Sequence, residues 1–150
     1  MQNKLSQVEI YTDGGCVPNP GRGAWVAILV YKNNEKIIKG TEDQTTNNRM
    51  ELKSAVEALK ALKRPCFVRL YTDSEYLKKG MTEWLPKWIR RDWRGSKGGV
   101  KNIDLWKELF LESNRHKIEW IWIKGHNKHP YNERCDRIVK SLLAGKSEEN

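Results

Sequence analysis

Three cysteines, Cys16, Cys66 and Cys135, are all that this 150-residue chain contains. They form no CxxC pair and no Cys/His cluster with zinc spacing, which excludes a disulfide framework and a structural zinc site. They are read as reduced thiols, the usual state in a cytosolic protein. No apolar run approaches the roughly 20 residues that a membrane-crossing helix needs. Met1-Gln2-Asn3-Lys4-Leu5 offers no apolar signal core either. The chain is therefore expected to be soluble and cytoplasmic, with no membrane contact. Repeats, linkers and low-complexity tracts are absent. Acidic residues are in short supply, 19 against 28 Lys and Arg, for a net charge of +9. That excess favours an anionic partner, most commonly nucleic acid, although charge alone also fits a generically basic soluble protein.

What is present fits a single domain with a sizeable core over residues 1–150, with ends at about 1–6 and 145–150 expected to fray. Residues 7–13 alternate, placing Val8, Ile10 and Thr12 on one face and Gln7, Glu9, Tyr11 and Asp13 on the other. This is a strand pattern. Gly14-Gly15 follow, and Asp-Gly by itself is most simply a turn. Residues 23–31 are almost continuously apolar, which suits a strand buried on both faces. Residues 36–41 make a third strand, and short connections make the three an antiparallel meander. Thr45-Thr46-Asn47-Asn48 is a cluster of helix N-cap residues. The helix that follows, about 49–63, buries Leu52, Ala55, Val56, Leu59 and Leu62 and carries Glu51 in its first turn.

The fourth strand, 66–73, is reached through a helix and should run parallel to an earlier one. It ends in Tyr71-Thr72-Asp73, the tripeptide Tyr-Thr-Asp that also ends the first strand. If these strands are neighbours, the two aspartates lie roughly 5 Å apart, near enough to share a cation. Ser74 caps a helix running to about residue 84. Trp84, Trp88 and Trp93 then interleave with Lys87, Arg90, Arg91, Arg94, Lys97 and Lys101. Aromatic faces beside cations suit a nucleic-acid strand. The same composition also fits tryptophans packed into the core beneath a solvated basic surface. A helix over 102–113, a strand over 118–124, a loop over 125–130 and a last helix from an Asn132 cap to about 144 complete an α/β chain with a mixed sheet. Asp136 sits beside the buried stripe of that last helix, and His116 is read as a surface residue.

Five segments now stand in one order: Tyr11-Thr12-Asp13-Gly14-Gly15-Cys16, Thr46-Asn47-Asn48-Arg49-Met50-Glu51, Tyr71-Thr72-Asp73-Ser74, Lys101-Asn102-Ile103-Asp104-Leu105-Trp106, and Trp122-Ile123-Lys124-Gly125-His126 with Asn132-Glu133-Arg134-Cys135-Asp136. Together they resemble bacterial type 1 ribonuclease H across roughly residues 7–144. The resemblance implies a ribonuclease H-like mixed five-stranded sheet of order 3-2-1-4-5 flanked by helices. It implies an endonuclease that cuts the RNA strand of RNA–DNA hybrids with two Mg²⁺ ions, or Mn²⁺ in their place, and works as a monomer. Asp13, Glu51, Asp73 and Asp136 are then the metal ligands and His126 the loop histidine that moves protons or helps product leave. Gly14, Gly15, Cys16, Asn19, Asn47 and Asn48 would lie along the minor groove. Thr46 and Asn102 would grip a DNA phosphate, and Trp84, Lys87, Trp88, Arg90 and Arg91 would form a basic protrusion against the DNA strand.

The chemistry is consistent with that implication. Hydrolysis of a phosphodiester needs an activated water and a stabilised leaving 3′ oxygen, which two divalent ions supply, and carboxylates are the hard ligands Mg²⁺ prefers. Taken singly, each residue has a plainer explanation: Glu51 as a charge favoured by a helix N-terminus, Asp73 as a cap, Asp136 as an exposed helix acid, Cys16 as an inert thiol, His126 as a surface histidine. Gly15 stands where the family commonly has serine, Glu75 where it has glutamine, and Ile89 interrupts the basic run; these departures bear on affinity. With so few residues before the first strand, the separate hybrid-binding module of some relatives is not expected. The competing readings are a DNA nuclease or resolvase on the same fold and a hybrid-binding module without catalysis.

Overall fold

The computed structural model describes residues 5–95, 98–124 and 129–145. In chain order the elements are β1 (Ser6–Cys16), β2 (Gly21–Tyr31), β3 (Asn34–Thr45), α1 (Asn47–Lys60), β4 (Cys66–Thr72), α2 (Glu75–Lys79), a π-helical turn (Gly80–Trp84), α3 (Leu85–Arg90), β5 (Arg94–Gly95), β6 (Gly98–Gly99), α4 (Ile103–Ser113), β7 (Lys117–Trp122) and α5 (Pro130–Leu143). Five strands form one sheet in the order β3-β2-β1-β4-β7. This is the expected 3-2-1-4-5 arrangement. Its last strand is seventh in the chain because a two-residue ribbon, β5 with β6, precedes it. The first three strands are antiparallel, and β4 runs parallel to both β1 and β7.

The two periodicities explain the layers. Val8 and Ile10 of β1, with Ala27 and Leu29 of β2, face Leu52, Ala55, Val56 and Leu59 of α1 and Trp106 of α4. Tyr11 of β1, with Ala24, Val26 and Ile28 of β2, faces Cys135, Ile138 and Val139 of α5. Strand β2 is thus covered on both sides, as its unbroken apolar run requires. The four α1 side chains are fully buried. Truncating a leucine there would cost about 2–5 kcal/mol.

Several boundaries differ from the expected ones, each for a local reason. Ser6, placed in the fraying end by sequence, pairs with Cys66. The helix after the fourth strand does not stop at Trp84: the π turn lets it continue to Arg90, so the expected protrusion loop is helical in its first half. Gly80 opens that turn because the Trp106 ring occupies the space a side chain would need. Helix α5 starts at Pro130 with His129 at its N-cap position, which makes Asn132 its third residue rather than its cap. His116 is half-buried, and its Nδ1 accepts the Cys66 backbone N–H at 3.1 Å. Burial is the main cause that holds its pKa below the usual histidine value. All three cysteines are free and buried. Among the described residues no helix is long and apolar enough to cross a membrane.

Candidate active site

Asp13 does not sit at a strand end. Gly14 and Gly15 continue β1 and pair with Trp25 and Ala24 of β2. Neither glycine has a positive φ, so the expected turn is absent. Their role is close approach. A β-carbon on Gly14 would stand 2.5 Å from the Met50 carbonyl carbon and 2.6 Å from the Glu51 amide nitrogen. Bare backbone at Gly14 therefore lets α1 lie directly on β1 and brings Glu51 to the neighbour of Asp13. Thr46 caps α1 by accepting the Arg49 N–H at 3.2 Å, so the helix begins two residues earlier than expected. Glu51 is then its fifth residue and belongs to the second turn. It is 6% exposed, too deep to be an ordinary charge at a helix N-terminus.

Asp73 arrives from β4, whose Tyr71 lies opposite Tyr11 in the parallel register. The repeated Tyr-Thr-Asp thus puts two aspartates on adjacent strands at the same height. The Asp73 backbone carbonyl accepts the Trp122 Nε1–H at 3.2 Å, and Ser74 next to it caps α2. One carboxylate oxygen from each of Asp13, Glu51 and Asp73 lies within 4.8 Å of the others.

Such crowding is visible in their proton affinities. Burial, and then the nearby Asp73, push Asp13 up to about 8, against a smaller opposing contribution from the Gly14 N–H that donates to it at 2.9 Å. Burial and then Asp13 hold Glu51 well above the usual carboxylate range. Burial and then Asp136 raise Asp73. Buried like charges favour protonation unless a cation neutralises them.

Asp136 lines the same cleft, of about 400 Å³, together with Asp13, Glu51 and Asp73. Its carboxylate stands outside the three-residue cluster, however, and pairs with Lys140 at 2.9 Å. Lys140 is a cleft residue that the motifs do not single out; its i,i+4 spacing from Asp136 is the available signal. Gly14, Gly15, Cys16 and Asn47 also line the cleft. Asn19 joins them through its Oδ1, which accepts the Asn47 N–H at 3.0 Å, and Asn48 is exposed beside them. Cys16 is buried, with its thiol directed at the Pro18 and Thr45 carbonyls. His126 lies outside the described residues.

At the far side of α1, Asn102 precedes α4 and Arg49 reaches it from α1. In the basic stretch the tryptophans pack on one another while the cations stay at the surface. The Trp88 ring packs edge-on against Trp106 at 5.3 Å and tilts against Trp84 at 6.0 Å and Trp93 at 6.4 Å. Trp84, Trp88 and Trp93 are each half-buried. Lys87, Arg90 and Arg91 are at the surface, and no carboxylate pairs with them among the described residues.

The donor set suits a hard divalent cation. All its ligand atoms are carboxylate oxygens, and Glu51 Oε1 is buried without a hydrogen-bond partner. The sequence matches the RNase H family model over residues 5–143. The chain belongs to the ribonuclease H family. It is 58% identical to a ribonuclease H of Hahella chejuensis over 136 residues, 90% of this chain and 92% of that one. A ribonuclease H of Granulibacter bethesdensis is 52% identical over 147 residues, 97% of this chain and 98% of the relative. Among solved structures, LC9-RNase H1, described as a type 1 RNase H with the type 2 active-site motif, superposes with a TM-score of 0.87 at 29% identity. That match covers 98% of this chain and 76% of its counterpart. The chain is accordingly an enzyme, a hydrolase of the metal-dependent ribonuclease H class.

Proposed function

We propose that this chain, as a monomeric cytoplasmic domain spanning residues 1–150, cuts the RNA strand of RNA–DNA hybrids with two divalent ions. Mg²⁺ is the physiological ion in this reading and Mn²⁺ can replace it. The products carry 5′-phosphate and 3′-hydroxyl ends. The observation that carries the reading is the convergence of Asp13, Glu51 and Asp73 on a cleft that Asp136 also lines. These four residues would hold the ions. Bound there, divalent cations supply an activated water and neutralise the charge that develops on the leaving oxygen.

The chain's own groups do the rest. Asp13 keeps one oxygen fixed on the Gly14 N–H, which leaves the other free as a ligand. Bare backbone at Gly14 and Gly15, with Cys16, Asn19, Asn47 and Asn48 around it, gives a minor groove close access to the carboxylates. Glu51 can accept from a 2′-hydroxyl, the group that distinguishes RNA from DNA. Thr46 and Asn102 are donors for a phosphate of the DNA strand. The half-buried Trp84 and Trp88, with the surface cations Lys87, Arg90 and Arg91, would meet the same strand. His126 would move protons at the cleft, as a near-neutral imidazole can.

The test is direct. Labelled RNA–DNA hybrid, double-stranded RNA and double-stranded DNA are each incubated with the protein in Mg²⁺ or in EDTA. Cleavage of the hybrid's RNA alone, and only with metal, is expected. Cutting of either homoduplex at a similar rate, or of any substrate in EDTA, overturns the reading.

A further inference from the structure

Asn102 occupies the N-cap position of α4 but does not cap it. Its side chain makes no hydrogen bond to the helix, and its backbone is left-handed, with φ 59° and ψ 32°. Asparagine tolerates that region better than most residues, yet the conformation persists only where surroundings hold it. Its amide is used elsewhere. Oδ1 accepts from Arg49 Nη1 at 3.3 Å, and Nδ2 donates to the Tyr76 hydroxyl at 3.0 Å.

This pairing has one sense only. A guanidinium has no acceptor, so the group facing Arg49 must be the amide oxygen. The nitrogen therefore faces Tyr76. The Tyr76 oxygen also accepts the Trp106 Nε1–H at 3.1 Å. Its ring stays in place against Trp106 at 5.3 Å and Trp84 at 5.7 Å. Arg49 is itself held: Asp104 takes both its terminal nitrogens, at 3.0 and 2.7 Å. The backbone N–H of the same Arg49 donates to the Thr46 hydroxyl oxygen. One arginine thus orients both Thr46 and Asn102. Each retains one hydrogen with no acceptor among the described residues: the Thr46 hydroxyl hydrogen and the second Asn102 N–H.

We propose that Arg49 and Tyr76 are positioning residues that lock the Asn102 amide with its free N–H, beside the Thr46 hydroxyl, toward a phosphate of the bound hybrid. The inference rests on the reading of Asn102 and Thr46 as phosphate donors. Neither Arg49 nor Tyr76 needs to touch the nucleic acid. Losing either lets the amide rotate and present its oxygen, which repels phosphate.

The experiment is a double-mutant cycle on Asn102. Tyr76→Phe keeps the ring and removes the acceptor; Arg49→Lys keeps the charge and removes the rigid fork. Binding of a fluorescent RNA–DNA hybrid in EDTA is measured, with KM and kcat in Mg²⁺. Each variant is expected to weaken binding and raise KM by about three- to tenfold, the worth of one ordinary net hydrogen bond, since the amide is loosened rather than removed, with kcat changed less than about twofold. Placed in an Asn102→Ala background, each should cost nothing further. Full multiplicative losses in that background overturn the positioning role. If Asn102→Ala alone leaves hybrid affinity unchanged, it is the phosphate reading that falls, and the inference with it.

Discussion

Gly14 of β1 and Met50 of α1 are in direct backbone contact, and that contact fixes where Glu51 stands relative to Asp13. The nearest obstruction to a side chain at Gly14 is the Met50 carbonyl carbon, 2.5 Å from the β-carbon position. Backbone cannot yield as a side chain can. Gly14→Ala should therefore lift α1 from β1, destabilise the protein by about 1–3 kcal/mol as overpacking does, and lower kcat because Glu51 moves. Gly15→Ala is the control: there the nearest atom is in the Val139 side chain, at 3.0 Å. Denaturant melts and steady-state kinetics on both variants check this. Equal, small effects at the two positions would refute the backbone-contact account.

Asp13 clusters with Glu51 and Asp73, so its neutral isostere isolates the chemistry. Asp13→Asn should abolish Mg²⁺-dependent cleavage of the hybrid while hybrid affinity, measured in EDTA, stays within about threefold of wild type. Binding should persist because the cations of the protrusion are elsewhere. A variant that still cuts at the wild-type rate would remove Asp13 from the metal site.

The pair of aspartates was legible because the same tripeptide recurs in two strands and a crossover helix makes those strands parallel. Strand pattern and the crossover were enough to bring Asp13 and Asp73 together, whereas Glu51 joined them only through the motif resemblance. The glycines were misread for a physical reason: a turn and a close approach demand the same residue, and only the third dimension separates them. The rotamer of Asp136, drawn to Lys140, is a choice between electrostatic partners that sequence does not rank. Trp84, Trp88 and Trp93 divided between core and surface within single side chains, which a reading residue by residue cannot express. Arg49 stood inside a recognised motif, but its partners Asn102 and Asp104 lie more than 50 positions along the chain.

The raised carboxylates make metal-free stability fall with pH. Asp13 has a folded pKa of about 8 against an ordinary 3.8. Its contribution is full below about pH 4, where both states are protonated. As pH rises toward 8 the unfolded chain gives up its proton first, and stability is lost. Glu51 and Asp73, raised as well, act in the same direction. Asp104 and Glu35 are lowered by their arginine partners and act oppositely at low pH. The informative quantity is therefore the difference between wild type and Asp13→Asn. In EDTA the two should be nearly equal at pH 4. Asp13→Asn should become the more stable as pH rises, by up to about 1.4 kcal/mol per pH unit. Saturating Mn²⁺ should reverse the order near pH 8, since it binds the folded wild type. Parallel curves across this range would show that the cluster is not proton-linked to folding.

The surface cations of α3 and its C-cap should be measurable as salt dependence rather than as lost chemistry. Each phosphate neutralised by a protein cation releases counterions, and the logarithm of the binding constant then falls linearly with the logarithm of salt concentration. Arg90 and Arg91 have no acidic partner among the described residues, so binding breaks no ion pair there. Replacing both with glutamine should weaken hybrid binding at low salt and reduce the slope by roughly one to two units, one for each phosphate no longer neutralised. The aromatic cluster of Trp84, Trp88 and Trp106 should hold the helix in place, so the melting temperature should barely move. Binding titrations in EDTA from low to moderate salt give the slope. An unchanged slope with unchanged affinity would take α3 out of the interface and leave its tryptophans as core residues alone.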